Sequence, residues 1–329
     1  MTHLHVLCLG EILFDCLADR PGIPLNQVQS WTIYPGGALA NVACGLVKLG
    51  TPTALISAIG QDTEGKTLVK FLQEVGVDTT GIQQNSDAPT RKVYVLHSTT
   101  GEREFVGFGD RQTTEFADTH LQAELLPESL FLNGDFLILG TLGLAYPETR
   151  QAIYQALELA DQYHLKIMVD VNWRPSFWPN PDEAKELIYS LLKRVDFVKL
   201  SIEEAKWLFE STEPAAITYQ LNSVEGTLIT AGDLGCAYYL SENEGKVPAF
   251  SIDVVDTTGA GDSFVAGFVH QLRQYGIRQL QEPEVAKKIV TYASAVGALS
   301  ATKKGAMSAQ PTVDEVEAFF SSYLGNKDR

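Results

Sequence analysis

The chain has 329 residues, of which 45% are hydrophobic, enough for one large α/β core. Its formal net charge of −16 excludes nucleic acid and anionic membrane as partners of its general surface. Cys8, Cys16, Cys44 and Cys236 form no CxxC pair, the six histidines are dispersed, and no run of about twenty apolar residues exists, so a reducing, cytoplasmic setting without zinc or a membrane span is expected.

The run from His3 to Leu9 reads as a strand with neither a basic nor a long apolar segment before it, so no signal peptide is expected. Val6-Leu7-Cys8-Leu9 is its buried part, closed by Gly10-Glu11. Leu13 to Ala18 is a second extended piece, in which Asp15 is either a turn residue or a carboxylate facing a ligand. After a short strand at Trp31 to Tyr34, Pro35-Gly36-Gly37-Ala38 opens an apolar helix that Gly50 closes. Asn41, one turn into it, either bonds locally or holds ligand hydroxyls. Thr53 to Ile59 is a strand, Gly65 to Val75 a helix, and Val77 begins another extended segment. This rhythm implies a parallel sheet.

Arg91 to Ser98 and Arg103 to Phe108 alternate and are joined by Thr99-Thr100-Gly101-Glu102, which predicts a hairpin. With the extended pieces between Asp15 and Tyr34 it forms a small sheet able to cover a site. The α/β rhythm then resumes. Strands are predicted at Asp135 to Gly140, Lys166 to Val171, Asp196 to Leu200 and Thr227 to Ala231. Helices are predicted at Pro147 to His164, Pro181 to Arg194, from Ser201 onward, at Val285 to Ala301 and at Glu315 to Leu324.

Polar residues gather where these strands end: Asp170, Asn172 and Arg174, then Ser201 and Glu204, then Thr230, Gly232 and Gly235. Ligands bind at the carboxyl ends of parallel strands. Alternation along an extended chain would put Asp170, Asn172 and Arg174 on one face, with Arg174 either holding phosphate or neutralising Asp170. Trp173 and Trp178 are expected to pack.

The densest stretch is Asp256-Thr257-Thr258-Gly259-Ala260-Gly261-Asp262, emptying into the apolar helix Ser263-Phe264-Val265-Ala266-Gly267-Phe268. Its glycines bare the amides at a helix start, which suits an anion. A fixed carboxylate beside an anion site makes sense if Asp262 takes a proton from a nucleophile while the amides stabilise the developing charge. Neither G-x-G-x-x-G after the first strand nor the Walker pattern is present.

With these residues laid out, the chain resembles the ribokinase-like (PfkB) carbohydrate kinases over nearly its whole length. Asp256-Thr-Thr-Gly-Ala-Gly-Asp262 is similar to the family's C-terminal signature and Pro35-Gly-Gly-Ala-x-Ala-Asn41 to its N-terminal one, with Asp-x-Asn-x-Arg between them. The resemblance implies a three-layer α/β/α domain over residues 1–329. Its central sheet would be mostly parallel, and a small β-sheet lid would come from segments near 12–34 and 91–109.

The resemblance also implies roles. Asp262 would be the base and the amides of Gly259, Ala260 and Gly261 the anion hole. Asp15, Gly36, Gly37, Asn41 and Arg174 would hold the sugar. Asn172, Ser201, Glu204, Thr230, Gly232, Gly235 and Gly261 would lie along ATP, with Glu204 organising Mg²⁺. Asp256 and Thr258, with Lys304-Gly305-Ala306, resemble a monovalent-cation (K⁺) site. Homodimers through the lid are common in the family, and Val93, Val95 and Phe105 give this lid apolar faces.

Within the family, Gly10-Glu11-Ile-Leu-Phe-Asp15, Gly101-Glu102-Arg103-Glu104-Phe105 and Lys199-Leu-Ser201-x-Glu203-Glu204 are most similar to fructokinases. The competing reading is 2-keto-3-deoxygluconate kinase, whose lid offers Tyr and Arg to a carboxylate. Here the matching strand reads Phe105-Val106-Gly107-Phe108-Gly109, and Arg111 comes later. A buried carboxylate without a cation is costly, which favours a neutral sugar. A non-enzymatic sugar- or nucleotide-binding paralogue is the alternative of a different class; it should have lost Asp262, Gly259 or Gly261, and all three are present.

Overall fold

The computed structural model describes residues 6–97 and 103–327. Strand β1 (Val6–Leu9) shows how the layers arise. Val6 and Cys8 point to one side of the sheet and Leu7 and Leu9 to the other, and all four are buried. The chain continues through β2 (Leu13–Ala18), β3 (Trp31–Gly36), α1 (Ala38–Lys48), β4 (Thr53–Gly60), α2 (Thr63–Val75), β5 (Asp78–Asn85), β6 (Lys92–His97) and β7 (Arg103–Gly107). Next come α3 (Glu128–Leu132), β8 (Phe136–Leu139), α4 (Pro147–Tyr163), β9 (Lys166–Asp170), α5 (Ala184–Leu192), β10 (Phe197–Ser201), α6 (Ile202–Phe209) and α7 (Pro214–Leu221). The last are β11 (Gly226–Thr230), β12 (Cys236–Leu240), β13 (Asn243–Val247), α8 (Ala260–Tyr275), α9 (Pro283–Ser300), α10 (Ala306–Ala309) and α11 (Val313–Lys327).

Nine strands form one sheet in the order β13-β12-β11-β10-β9-β8-β1-β4-β5. The pairs from β11 through to β5 are parallel, and β12 and β13 close one edge antiparallel. Helices α1, α2, α8 and α9 bury their apolar faces against the Val6 side, and α3 to α7 against the Leu7 side. The result is the three-layer α/β/α arrangement that the alternating strands and helices imply.

A second sheet has the order β3-β2-β6-β7. Leu13, Val93 and Val95 on its inner face pack with Leu142, Tyr146 and Phe177 of the main body. The expected hairpin is the antiparallel pair β6–β7, with an irregularity between Tyr94 and Val95. Its turn, from Ser98 through Glu102, lies outside the described residues. Two helical details differ from expectation. Pro181–Glu183 is a separate 3-10 turn before α5, and α7 begins on Pro214 in a stretch whose periodicity is weak.

Two glycines place the helices that carry the site. Gly37 has φ +110°, and a Cβ there would stand 2.4 Å from the Glu11 carbonyl oxygen, so only glycine lets β3 turn into α1 over the end of β1. Gly45 of α1 faces α8, and a Cβ on it would lie 2.8 Å from that of Ala266. The missing side chain lets α1 and α8 run close enough for short side chains to meet across them.

Candidate active site

The turn before α8 is held by its own side chains. Oδ1 of Asp256 accepts from the Thr258 amide at 3.0 Å and from its hydroxyl at 2.7 Å, and Oδ2 accepts from the Gly305 amide at 3.1 Å. Asp256 and Val255 also donate backbone N–H groups to the Ala301 carbonyl. The expected proximity of Asp256, Thr258 and the Lys304–Ala306 loop is therefore present. Gly259 caps α8 at φ +76° with no side chain bonded to the helix start. The amide of Ala260 closes the turn on the Thr257 carbonyl at 3.2 Å, so it is not bare as the sequence suggested. The amides of Gly259 and Gly261 have no acceptor among the described residues.

Asp262 follows at once and is buried at 8% exposure. The amide of Asn41, from the other glycine-opened helix, donates to its Oδ2 at 2.7 Å. Burial and the neighbouring Asp170 raise the Asp262 carboxyl to about 6, against the pull of Asn41, Lys199 and Arg174. That value suits a group that must take up a proton and release it near neutrality. Oδ1 of Asn41 is buried with no protein partner. The bond to Asp262 is not the local one the sequence offered: it joins two helices 221 residues apart, and Oδ1 remains as an acceptor.

The second polar cluster lies where β2, β3 and α1 meet. Asp15 sits in β2 opposite Tyr34, and its Oδ2 lies over Gly36, where a Cβ would come within 2.3 Å. Glu11, half-buried after β1, accepts from the Ala38 amide at 2.7 Å and anchors the start of α1. Burial, with Asp118 and Asp262 nearby, pushes its carboxyl up to about 7. Sequence reading assigned Glu11 no role.

On the other side of Asp262 the ends of β9, β10 and β11 line up. Ser201 caps α6: its hydroxyl accepts from the Glu204 amide, and Oε2 of Glu204 accepts from the Ser201 amide at 2.7 Å. Oε1 of Glu204 accepts from the Trp173 amide at 2.8 Å. Both oxygens of Glu204 therefore hold backbone, so its first role is a capping box, with only second lone pairs left for a cation shell. Thr230 donates to the Leu200 carbonyl at 3.3 Å. Gly232 is open to solvent, and at Gly235 a side chain would strike the Val247 carbonyl.

The expected common face of Asp170, Asn172 and Arg174 does not form. Strand β9 stops at Asp170 and Asn172 turns left-handed, with φ +37°, which breaks the alternation. Arg174 is exposed and reaches the site only as a nearby charge on Asp262. Trp173 stacks on Trp207 at 3.8 Å, so it packs, and Trp178 is buried.

Asp170 is instead neutralised by Lys199. Its ammonium donates to the two carboxylate oxygens at 3.0 and 3.2 Å. Lys199 stands in β10 directly opposite Asp170 and on the side that faces α8. The sequence alone assigns this lysine no role. The available signal was a charge inside the apolar run Phe197-Val198-Lys199-Leu200, which must be paired when buried.

Among the described residues no group of three side chains forms a metal cage, and no helix is long and apolar enough to cross a membrane. Comparison with known proteins gives the family and fold context of the chain. Residues 3–313 match the family described as pfkB family carbohydrate kinase. The chain is 33% identical over 317 residues to a probable fructokinase-2 of Arabidopsis thaliana, covering 95% of each. A fructokinase of Xylella fastidiosa solved with bound ATP superposes with a TM-score of 0.88 at 28% identity, over 98% of this chain and 99% of the other. A putative ribokinase II of E. coli solved with ATP and Mg²⁺ gives 0.85 at 27% identity, over 97% and 99%.

Proposed function

This chain belongs to the pfkB family of carbohydrate kinases, and from that premise we propose that it is a fructokinase, converting ATP and D-fructose to ADP and D-fructose 6-phosphate. The observation that carries the chemistry is the buried Asp262, bonded to Asn41 and seated directly after a turn with bare amides. The primary hydroxyl of the sugar gives its proton to Asp262. Its oxygen forms a bond to the γ-phosphorus, and the bond from that phosphorus to the β–γ bridging oxygen breaks, leaving the electron pair on ADP. Such a transfer depends on alignment and on stabilising the equatorial oxygens more than on covalent chemistry. The amides at Gly259 and Gly261 and the dipole of α8 supply part of that stabilisation.

Asp15, Gly36, Gly37 and the free oxygen of Asn41 form the sugar side in this reading. Ser201, Thr230, Gly232 and Gly235 form the nucleotide side, and Asn172 and Arg174 flank the path between them. The Mg²⁺ arrives as Mg·ATP, and Glu204 is the carboxylate on its side of the site. A monovalent cation at Asp256 and Thr258 would act on the anion hole through the Gly305 contact. The four-stranded sheet serves as the lid that keeps water from the phosphoryl group. Arg111 lies in an exposed turn beyond β7, which favours a neutral sugar over a sugar acid.

The test is ADP release from Mg·ATP with fructose, ribose and ketodeoxygluconate as acceptors, with the phosphorylated carbon located by NMR. Turnover of fructose to the 6-phosphate, abolished in Asp262→Asn, is expected. Preferential use of ketodeoxygluconate would replace the assignment.

A further inference from the structure

Lys199 and Asp170 form a buried ion pair, with side chains 8% and 3% exposed. An ion pair of this kind is weak evidence for a stabilising role, because removing two charges from water costs about as much as their attraction returns. Burial alone would lower the ammonium's pKa, yet Asp170, Glu204 and Asp262 together hold it above its ordinary value, so it is charged. The two oxygens of Asp170 occupy at most two of its three N–H bonds. Its nitrogen also lies against the catalytic turn: a Cβ on Gly261 would stand 3.0 Å from Nζ.

Among the described residues only Arg91 and Lys199 are buried cations. Arg91 is committed to Asp118 at 2.8 Å and is enclosed by the rings of Phe116, Phe108, Tyr146 and Phe177. Around Lys199 the nearby carboxylates are Asp170, Glu204 and Asp262, Glu11 lies near Asp262 as well, and the other cation near Asp262, Arg174, is exposed. A dianionic phosphoryl group entering this field needs a cation that water does not screen.

We propose that Lys199 is a catalytic residue whose ammonium, held on Asp170 in the free enzyme, donates its remaining N–H to the phosphoryl group as that group passes over the Gly259–Gly261 turn. This rests on the kinase reading above. Asp170 then acts as a positioning residue that keeps the ammonium charged and aimed. No proton leaves Lys199. The proton of the sugar hydroxyl still goes to Asp262, and the electron pair of the breaking bond still goes to ADP.

The experiment compares wild type with Asp170→Asn, Lys199→Met and the double variant Asp170→Asn/Lys199→Met, which removes both buried charges and so keeps the fold free of an orphan. Thermal unfolding and binding of a fluorescent ATP analogue establish that the double variant is folded and loaded. Loss of one such donor from a phosphoryl or oxyanion site lowers kcat by about 10²–10³. The expected result is that loss in the double variant relative to Asp170→Asn, with KM for the sugar within about threefold. A folded double variant whose kcat matches Asp170→Asn would overturn the proposal and leave the pair a structural clamp. Asp170→Asn/Lys199→Gln, which also removes both buried charges, serves as a second probe with the same expectation. An inactive wild type would instead refute the kinase reading itself.

Discussion

Replacing Asn41 with Ala removes the hydrogen bond to Oδ2 of Asp262 and leaves the carboxylate buried. A hydrogen bond to a charged group contributes about 1.5–3 kcal/mol, and about 1.4 kcal/mol corresponds to one pKa unit. The ionised form loses this support and the protonated form does not, so the pKa moves up. From about 6 in the wild type it should rise to roughly 7–8 in the variant. The base must be ionised to act, so activity lies above the pKa and falls as pH drops through it. The acid limb of kcat/KM for the sugar should therefore sit near pH 6 in the wild type and one to two units higher in Asn41→Ala. At pH 6.5 the variant should fall about 3–25-fold further below its own plateau than the wild type does. The assay is ADP release at saturating Mg·ATP from pH 5 to 9, and position rather than height is read because the proposed function also assigns Asn41 to the sugar. An acid limb that stays in place would show that Asn41 does not tune the base.

Three further outcomes follow from the geometry. Gly36→Ala puts a methyl 2.3 Å from Oδ2 of Asp15 and should raise KM for the sugar by about 10–100-fold while leaving KM for ATP unchanged; an equal rise in both would disconnect Asp15 from the sugar. Glu204→Ala strips the acceptor from two backbone amides and should cost about 2–5 kcal/mol in urea unfolding; an unchanged midpoint would refute the capping role. The raised carboxyl of Glu11 means the folded state holds its proton more tightly than the unfolded chain. Its destabilising contribution therefore grows as pH rises from about 4.5 to about 7. Glu11→Gln keeps an acceptor for Ala38 and should raise Tm at pH 8 but not at pH 4.5; a Tm gain independent of pH would contradict this.

Much of the fold was legible because buried parallel strands read as short apolar runs and two helices announce themselves with glycine turns. Ser201 and Asp262 stand out in the sequence because their residue types and places at strand or helix ends carry chemistry by themselves. What failed did so for identifiable reasons. The common face of Asp170, Asn172 and Arg174 presumed an extended chain, and a left-handed Asn172 is a local choice that alternation does not encode. The capping box of Glu204 was missed because pattern alone does not distinguish it from a cation-facing carboxylate. Lys199 carries no signal of its role on its own because its meaning lies in Asp170, its neighbour on the adjacent strand and 29 positions away. Helix α7 had too short and uniform an apolar pattern to separate it from loop.

The link between Asn41 and Asp262 spans 221 residues of sequence. During synthesis at about 5–20 residues per second, the base leaves the ribosome roughly 11–44 s after its partner. The glycine turn into α1 and the strands around Asp15 are made long before anything can deprotonate a sugar, and β1 must wait for β8 to cover its second edge. Until α8 emerges, α1 lacks the helix it packs against and Asn41 lacks the carboxylate it bonds. In the kinase reading, a translation product that stops short of α8 has neither the base for the sugar hydroxyl nor the anion hole for the phosphoryl group.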